Sequence, residues 1–138
     1  MKVTLELDSK MHIIGDDSKE HKTHFDSPAM EGDFNHATPM SVMLQSMAAC
    51  SFMDTISIIR KKRKDDSNLK VEVEAERADE HPKVFTKVHL KYILTSKDAE
   101  KKDIDRAVEL SQEKYCAASA MFKAAGCEVT FETDIKRP

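Results

Sequence analysis

Residues 39–64 read PMSVMLQSMAACSFMDTISIIRKKRK and decide the fold. Proline favours the first turn of a helix, where its missing N–H has no partner in any case. The next twenty residues are apolar or small almost all the way round, which is typical of a buried helix. We therefore predict a long, buried helix from Pro39 to about Lys64. The basic run Arg60–Lys64 complements the negative end of the helix dipole. We interpret this run as a solvated helix end; an anionic partner is the alternative.

Alternating apolar and polar residues predict strands on both sides of this helix. Val3–Leu7 alternates cleanly and predicts a half-buried strand with its valine and leucines inward. Weaker strands are expected at Met11–Ile14 and His21–Phe25. Ser27–Pro39 contains one glycine and two prolines and predicts a loop.

Two further alternating segments, Lys70–Arg77 and Val84–Leu94, follow the helix. One carries acidic and the other basic residues on its outer face, so we predict an antiparallel hairpin with paired charges. A second helix is expected after Asp98, with Gly126 as its C-terminal cap. Cys127–Ile135 predicts the closing strand. The element order indicates an α+β fold, one domain of residues 1–138 with two long helices on antiparallel sheet.

The composition excludes several functional classes. Of the 138 residues 40% are hydrophobic and 34% charged, a balance typical of a globular domain. The net charge of −3 argues against a dedicated nucleic-acid binder. Met1–Leu7 lacks the apolar run of a secretory signal, and Asp54 interrupts the longest apolar stretch, so no membrane helix is expected. Three cysteines without an export signal indicate reduced thiols in the cytoplasm.

Cys50 and Cys116, one in each predicted helix, are the residues that we expect to carry chemistry. No CxxC motif joins them, so the fold must bring two distant helices together if they act as a pair. Such a pair suits reaction with an oxidant: one sulfur attacks, and the second closes a disulfide. Packing is the alternative for each of them and our expectation for Cys127, because cysteine is among the most buried residue types.

Acidic neighbours work against high reactivity of this pair. Asp54 lies one turn from Cys50 and Glu113 one turn from Cys116. A carboxylate beside a thiol disfavours the reactive thiolate. In addition, no arginine precedes Arg60 in the chain.

The histidines raise a second hypothesis, a metal site. His21, His24 and Asp26 form a cluster of ligand types, and His36 follows within reach of the loop. Two histidines three residues apart suit a helix, whereas this stretch predicts strand or loop. We therefore interpret them as solvated histidines and predict neither a metal nor a cofactor site.

Several segments follow the pattern of a known family. Pro39–Arg60 is a helix carrying Ala-Ala-Cys and then aspartate. Phe85–Leu90, Ala107–Ser111 and Glu113–Cys116 follow in the second half, and Glu-Lys-Tyr-Cys is the most specific of these motifs. These residues resemble the OsmC/Ohr family of thiol peroxidases, most closely a YhfA-like branch. The resemblance covers essentially the whole chain beyond the N-terminal strands.

The resemblance implies an OsmC-like fold, with antiparallel sheets wrapped around two long central helices in an intertwined homodimer. It implies reduction of organic hydroperoxides at the subunit interface. By that likeness Cys50 is the attacking, peroxidatic cysteine and Cys116 the resolving one, and a cellular dithiol restores both. No cofactor, nucleic acid or membrane is implied as a partner.

The chain departs from the family's pattern at two points. Active peroxidases place a glutamate directly after the proline that opens the cysteine helix, where this chain has Met40. They also supply an arginine from the N-terminal strands, and here none exists. These departures leave a second hypothesis open, a non-enzymatic protein of the same fold that binds a small apolar ligand at the dimer interface. Its pocket would be lined by methionines, namely Met40, Met43, Met47, Met53 and Met121.

Overall fold

The computed structural model describes residues 1–138, which group into two units, Met1–Gln45 and Ser46–Pro138. The elements follow the predicted order up to the second helix. The chain combines helices with strands, which confirms the α+β class. That the whole chain forms one domain stays a prediction.

The first unit contains a three-stranded sheet of β1 (Thr4–Ser9), β2 (His12–Asp16) and β3 (Lys22–Phe25). The strands pair antiparallel, as predicted, and their order in the sheet is β1-β2-β3. The predicted half-burial of the first strand is wrong for the single chain: its inward residues are 56–68% exposed, namely Val3, Leu5 and Leu7. The alternation of apolar and polar residues identifies the apolar face of a strand, but it does not show whether another surface covers that face.

Helix α1 (Pro39–Lys61) begins at the predicted proline and ends three residues early, where Arg63 adopts a positive φ of 58°. It was expected to be buried nearly all round. Instead, burial follows one stripe with a spacing of four residues, namely Met47, Ser51, Thr55 and Ile59. By length and composition alone α1 could span a membrane, a test that core helices also pass.

The second unit contains β4 (Asn68–Arg77), β5 (Phe85–Thr95) and β6 (Glu128–Lys136), in the order β4-β5-β6. The predicted hairpin is confirmed, because β4 and β5 pair antiparallel with Glu72 opposite Lys91. The expectation of a wholly antiparallel sheet is wrong: β6 runs parallel to β5. The helices between β5 and β6 return the chain to the end of the sheet at which β5 begins, so β6 runs in the same direction as β5. The alternation of apolar and polar residues along a strand carries no information about this direction.

The second predicted helix is broken, so the expectation of two long helices holds for α1 alone. Helix α2 (Lys101–Leu110) leads into a π-helical turn, Ser111–Tyr115, and helix α3 (Ala117–Ala124) follows. Cys116 between them has an extended backbone, with φ −78° and ψ 99°. Its N–H donates to the Ser111 carbonyl at 2.7 Å, which closes the wide turn. No glycine or proline signals this break in the sequence.

Candidate functional site

The structure brings the two predicted cysteines together in the second unit. The Sγ atoms of Cys50 and Cys116 and a carboxylate oxygen of Asp54 all lie within 4.8 Å of one another. Cys50 and Asp54 are one turn apart on α1 and half-buried, whereas Cys116 is 3% exposed. All three cysteines are free thiols. Glu113, the other acidic neighbour considered from the sequence, is exposed.

Cys116 occupies the N-terminal cap of α3 rather than the interior of a helix. Its Sγ accepts the backbone N–H of Ser119 at 3.3 Å, which satisfies one of the unpaired donors at the helix start. Its thiol also lies 3.9 Å from the carbonyl oxygen of Met47 on α1. The π-helical turn therefore places this sulfur at a helix end that faces the α1 stripe.

Burial raises the pKa of the Cys116 thiol, and the adjacent Cys50 raises it further, while hydrogen bonds from Ser119 act in the opposite direction. Burial likewise raises the pKa of Cys127, with a smaller contribution from Glu128. Cys127 is buried directly before β6, as expected for a packing residue. Cys116 thus favours its protonated thiol form.

A buried network of hydrogen bonds supports the sulfur pair. Ser51, next to Cys50, lies with its Oγ 2.5 Å from Tyr92 Oη and 2.8 Å from Ser111 Oγ. Ser111 in turn donates to Asp54 Oδ2 at 3.1 Å. Gln112 Nε2 donates to Ser51 Oγ at 3.1 Å and to Tyr92 Oη at 3.0 Å. A continuous path of hydroxyl groups therefore leads from the core strand β5 to the carboxylate beside the sulfurs.

The sequence reasoning did not identify this network. Tyr92 shares the apolar face of its alternating segment and Ser111 lies at helical spacing from Ile104, and both are buried. The available signal was a hydroxyl group on a face expected to be buried, because a buried hydroxyl group requires a hydrogen-bond partner. The partners themselves come from different elements, so spacing along the chain does not reveal them.

A pocket of about 310 Å³ borders this site. Asp54 and Lys61 of α1 provide its charged groups, and Ile58, Leu110 and Tyr115 contribute apolar surface. An apolar molecule with one polar end therefore fits the lining, with the polar end toward Asp54.

The histidines considered as metal ligands separate into two groups. His21 Nδ1 lies 2.6 Å from Asp17 Oδ2, whereas His24 stacks against His12 and His36. Of the histidines grouped from the sequence, His24 and His36 are adjacent in the structure and His21 is apart from them, whereas His12, which the grouping left out, lies beside both. The missed signal is that His12 and Ile14 share a face of β2, and Ile14 pairs with His24 across the sheet.

Comparisons with known proteins agree on one family. The family model of OsmC-like proteins matches residues 31–132. Protein YhfA of Escherichia coli strain K12 is 34% identical over 113 residues, 82% of each chain. The crystal structure of a hypothetical protein from Aquifex aeolicus VF5 superposes with a TM-score of 0.82 at 27% identity, covering 98% of this chain and 96% of that one. The organic hydroperoxide resistance protein OhrB of Bacillus subtilis shares the fold, with a TM-score of 0.59 at 19% identity over 98% and 96% of the two chains.

Proposed function

Because the chain belongs to the OsmC-like protein family, we propose that it is a thiol-dependent redox protein that reduces organic hydroperoxides. The observation that carries this proposal is the meeting of Cys50 and Cys116 sulfurs within 4.8 Å, although they lie far apart in sequence. Cysteines that only fill space in the core need not lie close to each other, whereas an attacking and a resolving thiol must come into contact.

The roles of the two cysteines follow from their surroundings. Cys50 is the more exposed of the two and is therefore the one that a peroxide reaches first. Cys116 is buried, and its raised pKa keeps it protonated during that first attack. Cys50 is accordingly the peroxidatic residue and Cys116 the resolving one.

The chemistry balances with a dithiol as co-reactant. The Cys50 sulfur attacks the outer peroxide oxygen, the O–O bond breaks, and Cys50 becomes a sulfenic acid while the alkoxide leaves as the alcohol. The Cys116 thiol then attacks the Cys50 sulfur, which forms a disulfide and releases water. A cellular dithiol reduces this disulfide by exchange and is itself oxidised to a disulfide.

Asp54 is placed to move the proton in the first step. Its carboxylate lies within 4.8 Å of both sulfurs and is held by the Ser111 hydroxyl. It would accept the proton of the Cys50 thiol, directly or through one water, and return it to the departing alkoxide. The adjacent pocket offers apolar surface for the organic part of the hydroperoxide.

The proposal includes a homodimer in the cytoplasm. Twelve large apolar side chains are exposed in the single chain, among them Met53 on α1 (71%) and Met121 on α3 (72%), and this exposure favours an interaction surface. A second copy of the chain is the occupant that the family likeness implies. We place the protein in the cytoplasm because the proposed cycle requires the Cys50–Cys116 disulfide to be reduced again, and the cytoplasm is a reducing compartment.

The test is intact-mass analysis of the reduced protein after one equivalent of cumene hydroperoxide. We expect each chain to lose two hydrogen atoms as the disulfide closes. Cys50→Ser should show no change. Cys116→Ser should gain one oxygen as a sulfenic acid that dimedone traps.

Cys127→Ser serves as the matched control, because it removes the third thiol and should still lose two hydrogen atoms. Wild-type protein that keeps all its thiols free after treatment would refute the peroxidase proposal. In that case a small apolar molecule retained in native mass spectra would support the non-enzymatic binding hypothesis.

A further inference from the structure

Three histidines of the first unit form a cluster that the proposed redox cycle does not use. Their rings stack with centroid separations of 4.3 Å for His12 and His36, 4.8 Å for His24 and His36, and 5.1 Å for His12 and His24. One ring nitrogen of each lies within 4.8 Å of those of the other two. Three potential metal donors therefore converge from β2, β3 and the loop before α1.

The backbone holds the third histidine in place through a buried carboxylate. Asp26 is 3% exposed and accepts the backbone N–H of Ser27 at 2.8 Å and that of Asn35 at 3.0 Å. Its own N–H donates to the carbonyl of Ala37 at 3.1 Å. These hydrogen bonds fix the loop on both sides of His36 and so hold His36 beside the sheet.

A second carboxylate orients the first histidine. His12 Nδ1 lies 3.0 Å from Asp8 Oδ2, which leaves Nε2 as the nitrogen that points toward His24, 2.9 Å from His24 Nδ1. A histidine that donates one ring nitrogen to a carboxylate and presents the other to a metal is the usual arrangement at metal sites.

His12 Nε2 and His24 Nδ1 are within hydrogen-bond distance of each other at 2.9 Å, whereas the His36 ring approaches both only by stacking. Neutral imidazoles prefer late first-row divalent cations, and three of them with one open position match the donor set of a tetrahedral zinc site. The rings are nearly parallel, with interplanar angles of 14–21°, so binding one ion requires them to tilt until their nitrogen lone pairs converge.

We propose that His12, His24 and His36 bind a divalent transition metal ion such as Zn²⁺, with Asp8 as the residue that orients His12. The site is independent of the proposed peroxidase activity, because it lies within residues 1–45 and uses no cysteine. The half-burial of His12 and His36 and the exposure of His24 leave one side of the ion open to solvent.

Cobalt titration of the full-length reduced protein tests this site, with Co²⁺ as a spectroscopic substitute for zinc. We expect visible d–d bands that saturate at one ion per chain, without the charge-transfer band of a cobalt thiolate. That band would place the ion at Cys50, Asp54 and Cys116 instead and would overturn the proposal. Saturable binding with the expected spectrum should persist in Cys50→Ser.

Single alanine variants of the three histidines provide the decisive comparison. His24→Ala should abolish the bands, and His12→Ala and His36→Ala should do the same. Asp8→Asn should weaken Co²⁺ binding by about 10–100-fold, as expected for a residue that orients a metal ligand. His21→Ala is the matched control and should bind as wild type.

Circular dichroism should show that each variant is folded. Thermal melts add a second readout, because an ion that binds only the folded state raises Tm. Zn²⁺ should raise Tm of the wild type and of His21→Ala but not of His24→Ala. Equal Co²⁺ affinity in His24→Ala and wild type would overturn the site.

Discussion

The two thiols of the proposed pair differ in accessibility, and this predicts the order in which they are alkylated. Cys50 is half-buried, whereas Cys116 is 3% exposed and its pKa is raised by burial. Iodoacetamide reacts with exposed thiolates, so it should modify Cys50 about tenfold or more faster than Cys116. Peptide mass mapping over a time course measures both rates, with the buried Cys127 as internal reference. Modification of Cys116 before Cys50 would reverse the assigned roles.

Tyr92 contributes one hydroxyl group to the buried polar network, and this hydroxyl can be removed alone. Tyr92→Phe removes one hydrogen bond from Ser51 and one from Gln112. We expect the free energy of unfolding to fall by about 1–3 kcal/mol, because two buried hydrogen bonds are lost at about 0.5–1.5 kcal/mol each. Urea denaturation measures it. Tyr115→Phe is the matched control: Tyr115 is exposed, and the change should stay within about 0.5 kcal/mol.

At this scale the sequence predicted the cysteine pair but not its surroundings. The motif around Cys116 carried the likeness to a family, and the likeness assigned the pair. Ser51 and Ser111 looked like ordinary small residues on helices, yet their hydroxyls join elements that are distant in sequence. Hydrogen-bond partners of this kind depend on tertiary packing, about which local periodicity says nothing.

At the scale of elements, the helix that carries Cys116 shows where a regular pattern fails. We predicted one continuous helix after Asp98 with Gly126 as its cap, and the apolar residues Ile104 and Phe122 within it are indeed buried. The π-helical turn inserts an extra residue per turn between them, which shifts the register by enough to aim Cys116 at α1. Ser111 and Gln112 in this turn make buried hydrogen bonds to Ser51, and helix-propensity scales do not include such tertiary contacts.

The start of α2 depends on a carboxylate that serves two partners. Asp103 accepts the backbone N–H of Glu100 at 2.9 Å and lies 3.4 Å from Lys62 Nζ. Asp103→Ala removes both contacts, and we expect the free energy of unfolding at neutral pH to fall by about 1 kcal/mol. Glu109→Ala on the same helix is the control, because its ion pair with Arg106 is exposed and contributes little.

The same residue predicts a pH dependence. The hydrogen bond from Glu100 holds the pKa of Asp103 below its ordinary value, with Lys62 acting in the same direction. A lowered pKa in the folded state contributes stability that is present at neutral pH and is lost as the pH falls below about 4. The difference between wild type and Asp103→Ala should therefore shrink on acidification. A constant difference from neutral pH down to about pH 3 would contradict this assignment.

At the scale of the whole molecule, the order of elements and the hairpin could be predicted, whereas the direction of β6 and the covering of the apolar faces could not. The direction of a strand follows from the path of the preceding crossover, which is a tertiary property. Leu5 and Leu7 of β1 and Met43 and Met53 of α1 satisfy the pattern of buried faces, yet they are exposed in one chain. Single-chain periodicity does not distinguish a core face from a face that a second copy covers.

The proposed homodimer gives that exposure a testable consequence. Met53 projects from α1 with 71% of its surface exposed, so in a dimer that covers α1 a lysine at this position would place an unpaired charge in an apolar contact. We expect Met53→Lys to reduce the mass measured by light scattering from twice the 15.6 kDa of one chain to that value itself. Val84→Lys makes the same chemical change in the link between β4 and β5 and should leave the dimer intact. A wild-type protein that elutes as a monomer at micromolar concentration would contradict the homodimer, and the exposed apolar faces would then require another occupant.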